Sequence, residues 1–346
     1  MLNFLSGLFL ATTLLSGGNL SSLVPQVAGA DIELVPYTGT VEHIFFHSLI
    51  VYPEKAKTDL DNIGGYKDNM ITAFQFKELI QQLYDNNFIL INSEKLYSFD
   101  ATGKIKKEIL YLPKGKKPLI ISLDDLSYYK YMSKGGFANK LVLDESGAVK
   151  TEVVTPEGNT IVTDDGDVVP IVDKFVAEHP DFSQDGAKGI IAVTGFQGIL
   201  GYRTQLNAPS RDKEITAVLP IVDALKKSGW VFANHSFTHN QWYLRNTITA
   251  DQLTADITKW KDQVGSLVGS TDIFIGPFGQ VFKEGDARRK QLVDSGFTAL
   301  YGVGMDGYLK YLGDHFAMNR IDIDGLRLRL SPQTLFKKFG IKISNW

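Results

Sequence analysis

From about residue 40 onward, short apolar runs alternate with amphipathic stretches, and no other feature of this chain restricts its fold as much. The runs at 44–50, 88–91, 119–123, 189–193, 230–233, 273–275 and 297–301 have the length and branched content of buried strands. Helical stretches lie between several of them. One opens on the capping pattern Thr72-x-x-Gln75 and places Phe76, Leu79, Ile80 and Leu83 on one face. Another, over 250–267, opens on Thr249-x-x-Gln252 and carries Leu253, Ile257, Trp260 and Val264 as a core-facing stripe. A third, around 213–227, contains Pro220 and is expected to kink there. Buried strands alternating with helices make an α/β chain, and no internal repeat or low-complexity linker divides it. One domain over 31–346 is within the range of a (β/α) barrel with insertions.

The alternation breaks between 128 and 163. Alternating stretches at 141–143, 151–154 and 160–163, separated by Glu145-Ser-Gly147 and Pro156-Glu-Gly-Asn159, predict a β-hairpin or three-strand meander. The acidic run Asp164-Asp165-Gly166-Asp167 lacks the spaced ligands of a calcium loop and is expected to be a solvated turn.

Composition removes several function classes. A net charge of −3 with no Lys/Arg-rich run gives no field for nucleic acid. With no cysteine, disulfides, thiolate metal sites and lipid-modified cysteine are excluded. Residues 1–30 contain no charged side chain, are apolar over 4–15 and end Ala28-Gly29-Ala30, as an export signal or N-terminal anchor does, though without a basic start. A secreted or cell-surface location follows, with membrane attachment only through an uncleaved N-terminus.

Two of the apolar runs end in side chains suited to a metal. The run 118–123 closes on Asp124-Asp125, and the run 230–233 leads into Asn234-His235-Ser-Phe-Thr-His239. Either half alone is weak. Together they place a carboxylate pair and two imidazoles at the carboxyl ends of strands, where parallel-sheet enzymes keep their ligands. Asp125, His235 and His239 supply the three ligands of a catalytic site for one divalent ion, zinc being best suited, and Asp124 is the spare carboxylate that can act as general base.

At these residues the chain resembles the polysaccharide deacetylases, or NodB-homology carbohydrate esterases, and the resemblance extends over nearly everything after residue 40. Ser122-Leu123-Asp124-Asp125 is similar to the family's first motif, Asn234 to His239 to its second, and Ile275-Gly276-Pro277-Phe278-Gly279 to part of its third. His43-Ile-Phe-Phe-His47 resembles the opening strand, and Asn319-Arg320-Ile321 an arginine-containing segment near the end. Thr194 to Arg203 resembles a subset seen in Gram-positive bacteria. The resemblance implies a distorted (β/α) barrel, the same roles for Asp124, Asp125, His235 and His239, and an oxyanion donor in the backbone N–H near Phe278.

The chain departs from that pattern twice. Where the family has an arginine paired with the base, this chain has Ile275, so Asp124 needs another cation, with Arg320 and Arg203 as candidates. The family's final Leu-x-Leu-x-His is replaced by Leu326-Arg-Leu-Arg-Leu330, which has no histidine for the general acid. His315, beside Asp314, is the expected substitute. The resulting expectation is an exported, metal-dependent deacetylase of an N-acetylated cell-envelope or extracellular polysaccharide. The alternatives are a catalytically impaired carbohydrate-binding or envelope-assembly protein that retains the fold and metal, and a hydrolase of a different small amide or ester.

Overall fold

A computed structural model describes residues 33–56 and 65–344, so the expected export segment over 1–30 lies outside the described residues. Strand β1 (Glu42–Phe46) precedes helix α1 (Ala73–Asp85), which is capped as its sequence predicts: the Thr72 side chain accepts from the Gln75 amide, and the Gln75 side chain from the Thr72 amide. Next come β2 (Phe88–Leu90) and β3 (Lys117–Asp124). An inserted sheet of β4 (Ala138–Leu143), β5 (Val149–Val154) and β6 (Thr160–Thr163) follows, and then α2 (Val168–Glu178). The chain continues as β7 (Gly189–Val193), α3 (Arg211–Ser228), β8 (Trp230–Asn234), α4 (Ala250–Trp260), β9 (Ile273–Ile275), α5 (Ala287–Asp294), β10 (Ala299–Val303) and β11 (Phe316–Asp322).

Parallel pairing runs β7-β8-β9-β10-β11-β1-β3, and β3 pairs back onto β7, closing a barrel. β3 serves two neighbours with its two halves: Lys117–Leu119 pair with β2, and Ser122–Asp124 with β7. That shared strand is the distortion. Period-two alternation sends one side chain of each pair inward. Ile120, Ile190, Ala233, Ile273, Ala299, Phe316 and Met318 belong to one buried apolar cluster at the amino-terminal and middle levels of the barrel. Above them His43 Nε2 meets Ser122 Oγ at 3.0 Å, and Arg320 Nη1 donates to the same hydroxyl at 3.1 Å. The interior therefore grades from apolar to polar toward the carboxyl ends of the strands.

The insertion is the three-stranded antiparallel meander, the second of the two forms its sequence allows, and it buries Val149, Thr151 and Val153 along one face of β5. It is thereby docked on the core. Helix α4 stops at Trp260, whose indole Nε1 donates to Val193 O at 2.8 Å, and a π-turn at Lys261–Gly265 follows where a continuous helix was expected. Helix α3 runs through Pro220 from Arg211 to Ser228.

The acidic run is a solvated turn only in its first half, where Asp164 and Asp165 are partly exposed. Asp167 is fully buried and caps α2, its Oδ1 accepting from the amides of Val168 at 2.7 Å and Leu49 at 3.1 Å. Burial pushes its carboxyl up to about 6, against hydrogen bonds that pull it down. A folded pKa above the unfolded value of 3.8 means the ionised form destabilises the fold: the penalty is absent below about pH 4 and complete above about pH 6. Its size is about 3 kcal/mol. Asp167→Asn keeps the accepting oxygen without the charge, so its stability relative to wild type in urea unfolding should improve by up to about that amount between pH 4 and pH 7. A difference that does not change with pH overturns this account.

Candidate active site

The carboxyl end of β3 turns sharply. Asp125 (φ 59°) and Tyr128 (φ 48°) are left-handed, as are Ser236 (φ 61°), His239 (φ 45°) and Phe278 (φ 56°). Each costs on the order of 1 kcal/mol in a residue with a Cβ. Such strain gathered at one end of a barrel marks the place where geometry is held for use.

The histidine segment organises itself. Asn234 ends β8, and its Oδ1 accepts from the Ser236 amide at 2.7 Å, while Ser236 Oγ accepts from the His239 amide at 2.8 Å. Asp256, buried on α4, accepts from the amides of Phe237 at 2.8 Å and Thr238 at 3.0 Å and from the Thr238 hydroxyl at 2.5 Å. Its position among the apolar residues of α4 hides this role in the sequence. The Tyr243 hydroxyl also donates to Asp256 at 3.3 Å, so Asp256→Ala leaves four donors without their acceptor and should cost about 2–4 kcal/mol in unfolding free energy. It should also weaken metal binding roughly tenfold to a hundredfold, as loss of a ligand-orienting partner does. Metal titration with unchanged affinity would refute the orienting role.

His235 Nδ1 lies 2.8 Å from Ile275 O, a contact only a protonated nitrogen can make, so Nε2 keeps its lone pair. That Nε2 is 3.9 Å from Asp124 Oδ2 and 4.0 Å from Asp125 Oδ1; His239 Nε2 is 3.7 Å from Asp125 Oδ2. One ligand atom from each of Asp125, His235 and His239 lies within 4.8 Å of the other two. Tetrahedral ligands at zinc bond lengths stand about 3.4 Å apart, so modest contraction closes this trio on an ion. Burial, only partly offset by Asp124 and Asp125, lowers the His235 pKa and favours the neutral form that ligation requires. Tyr129 donates to Asp125 Oδ1 at 2.6 Å and fixes that carboxylate. The donor set fits a divalent cation with one side open.

Asp124 stands beside the trio and is paired differently. Arg320 Nη1 and Nη2 bond its two oxygens at 2.6 and 2.9 Å, and Arg320 itself is fully buried. Burial alone would raise this carboxyl; Arg320, then His235, override it and hold it well below the usual range. The cation that sequence left open between two arginines is thus Arg320. Arg203 instead donates to Gln197 O at 2.7 Å and Tyr128 O at 2.6 Å, tying two loops together. Ile275, in the place of the family's arginine, packs in the barrel interior.

Phe278 sits in the turn after β9, with Gly279 N donating to Gly276 O at 2.9 Å and its half-exposed ring 4.4 Å from that of His239. The structure does not bring His315 to this site. It precedes β11, where its Nδ1 meets Asp314 Oδ1 at 2.6 Å and its Nε2 accepts from Arg289 Nε at 3.0 Å. At about 3.3 Å per residue, the strand between it and Arg320 separates it from the site by roughly 16 Å. At that distance His315 does not reach the site as a general acid.

His47, by contrast, comes directly after β1 and acts electrostatically on both Asp124 and Asp125, lowering each carboxyl. Its Nδ1 is buried with no partner. The alternation His43, Phe45, His47 places all three on one face, and the contacts of His43 with Ser122 and Phe45 with Arg320 show that face to be the interior. This was the signal available in the sequence. Asp322, also on β11, has its carboxyl pushed up to about 8 by burial and by Asp324 and Asp124, and its Oδ1 is buried without a partner.

No family model and no curated protein matches this chain. Among solved structures, a de-N-acetylase from Aggregatibacter actinomycetemcomitans is 13% identical with a TM-score of 0.46, the match covering 87% of this chain and 100% of that one. IcaB from Ammonifex degensii is 12% identical with a TM-score of 0.44, covering 83% and 92%. Both are distant.

Proposed function

We propose that this protein is a metal-dependent hydrolase that removes acetyl groups from an N-acetylated polysaccharide. One observation carries the reading: two histidines and a carboxylate converge at the mouth of a barrel beside a second carboxylate that an arginine keeps ionised. Asp125, His235 and His239 would hold a divalent ion, with zinc best matched to two imidazoles and one carboxylate. Such an ion acidifies water and polarises an acyl oxygen.

The remaining work falls to this chain's own groups. Asp124 takes the proton from the attacking water. Its pairing with Arg320 makes it a weak base, which suits a water already acidified. The Phe278 amide donates to the oxygen that becomes negative as the acyl carbon turns tetrahedral. His47, at the end of β1 and next to Asp124 on the paired strand β3, protonates the departing amine, and this supports turnover over a catalytically impaired binding role. Export would bring the enzyme to cell-envelope or extracellular glycan; no described helix is long and apolar enough to cross a membrane.

Acetate release from N-acetylated glycans, with and without chelator, tests the reading. Purified protein should carry close to one equivalent of metal, and His239→Ala should lose most of it together with activity. Full activity in the metal-free protein would refute the proposal.

A further inference from the structure

At the mouth of the barrel, partly exposed aromatic rings border the metal-ligand trio. Phe278 lies against His239. Phe196 stacks on Tyr129 at 4.9 Å with planes 25° apart, and Tyr131 stacks on the same ring at 5.6 Å and 20°. Tyr129 is buried and its hydroxyl holds Asp125, whereas Phe196 is 37% and Tyr131 54% exposed. The stack is rigidly built. Arg203 bridges the loop carrying Tyr129 to the loop carrying Phe196 through Ser127 O, Tyr128 O and Gln197 O; the Gln197 side chain accepts from the Lys130 amide, and the Phe196 amide donates to Phe237 O.

We propose that Phe196 and Tyr131 form a sugar-binding platform that stacks the pyranose ring next to the acetylated residue, so that the site selects a polysaccharide strand over a single amino sugar. The inference rests on the hydrolase reading for the position of the reacting residue. An acetamide placed at the trio leaves its neighbouring sugar within one ring's reach of Tyr129's partners, because Tyr129 touches Asp125 itself. Pyranose rings present C–H faces that carry partial positive charge, which the negative faces of aromatic rings attract. A ring fixed in advance loses little entropy when it binds.

The experiment measures calorimetric binding of a β-linked N-acetylglucosamine ladder, monomer to pentamer, to metal-loaded full-length protein, alongside acetate release. Phe196→Ala should weaken binding of the longer oligomers roughly five- to tenfold and leave the monomer unchanged. Phe196→Tyr should restore binding and Phe196→Leu should not, which separates ring stacking from apolar burial. Tyr131→Ala should act in the same direction. Alanine variants that match wild type on every oligomer overturn the platform. Wild type that binds no oligomer better than the monomer overturns it as well. Ring-dependent binding of oligomers without any acetate release supports the platform while removing the hydrolase reading, so the two fail separately.

Discussion

Asp124→Asn should lower kcat by about a hundredfold to ten-thousandfold, the range for removing a general base, while metal content stays near one equivalent. The amide keeps the shape of the carboxylate but cannot accept a proton from water. The same substitution should cost stability, because Arg320 is fully buried and would keep its charge without a counter-ion. Breaking a buried pair from one side costs about 3–5 kcal/mol. Kinetics and urea unfolding must therefore be read together, with activity measured well below the unfolding midpoint. The pair also sets a pH signature. Asp124's carboxyl is held below its unfolded value, so the stabilisation is complete above about pH 4 and is lost as the pH falls further. Asp124 then contributes no limb to a pH–rate profile between pH 5 and 9. Near-normal turnover in a folded, metal-loaded Asp124→Asn protein would remove the base assignment.

The parts of this site that could be read in the sequence are those encoded locally. Asp124-Asp125 and Asn234 to His239 each follow an apolar run that is buried on both faces, and such runs in an alternating pattern announce parallel strands and their carboxyl ends. Barrel closure could not be read this way. It depends on β3 pairing with β2 through one half and β7 through the other, a register that no local pattern specifies. Arg320 reaches Asp124 across 196 positions, and in the sequence it was one of two equally placed cations. The turn composition of Asp164-Asp165-Gly166-Asp167 conceals that its last residue caps a buried helix. The chain position of His315 and its neighbour Asp314 point to an acid. The direction of β11 overrides both, since the strand carries its acid-side chemistry at Arg320 and Asp322 and leaves His315 at the opposite end.

With His47 proposed as the general acid, a kinetic test separates that role from a structural one. His47→Gln should lower kcat for an N-acetylated sugar by roughly a hundredfold or more, since protonation of a departing amine is worth that much. An activated aryl acetate has a leaving group that needs no proton, so the same variant should retain most of its activity on that ester. A merely structural histidine would depress both substrates alike. His315→Ala supplies the contrast: it should leave kcat on either substrate unchanged across pH 5 to 9. It should cost about 1–3 kcal/mol of stability, because Arg289, itself buried, loses the acceptor for its Nε. Equal loss on the amide and the activated ester in His47→Gln, or a selective amide defect in His315→Ala, would reverse the assignment. The substrate dependence is decisive because the two histidines lie at opposite ends of the barrel, and of the two only His47 shares a level with Asp124 and Asp125.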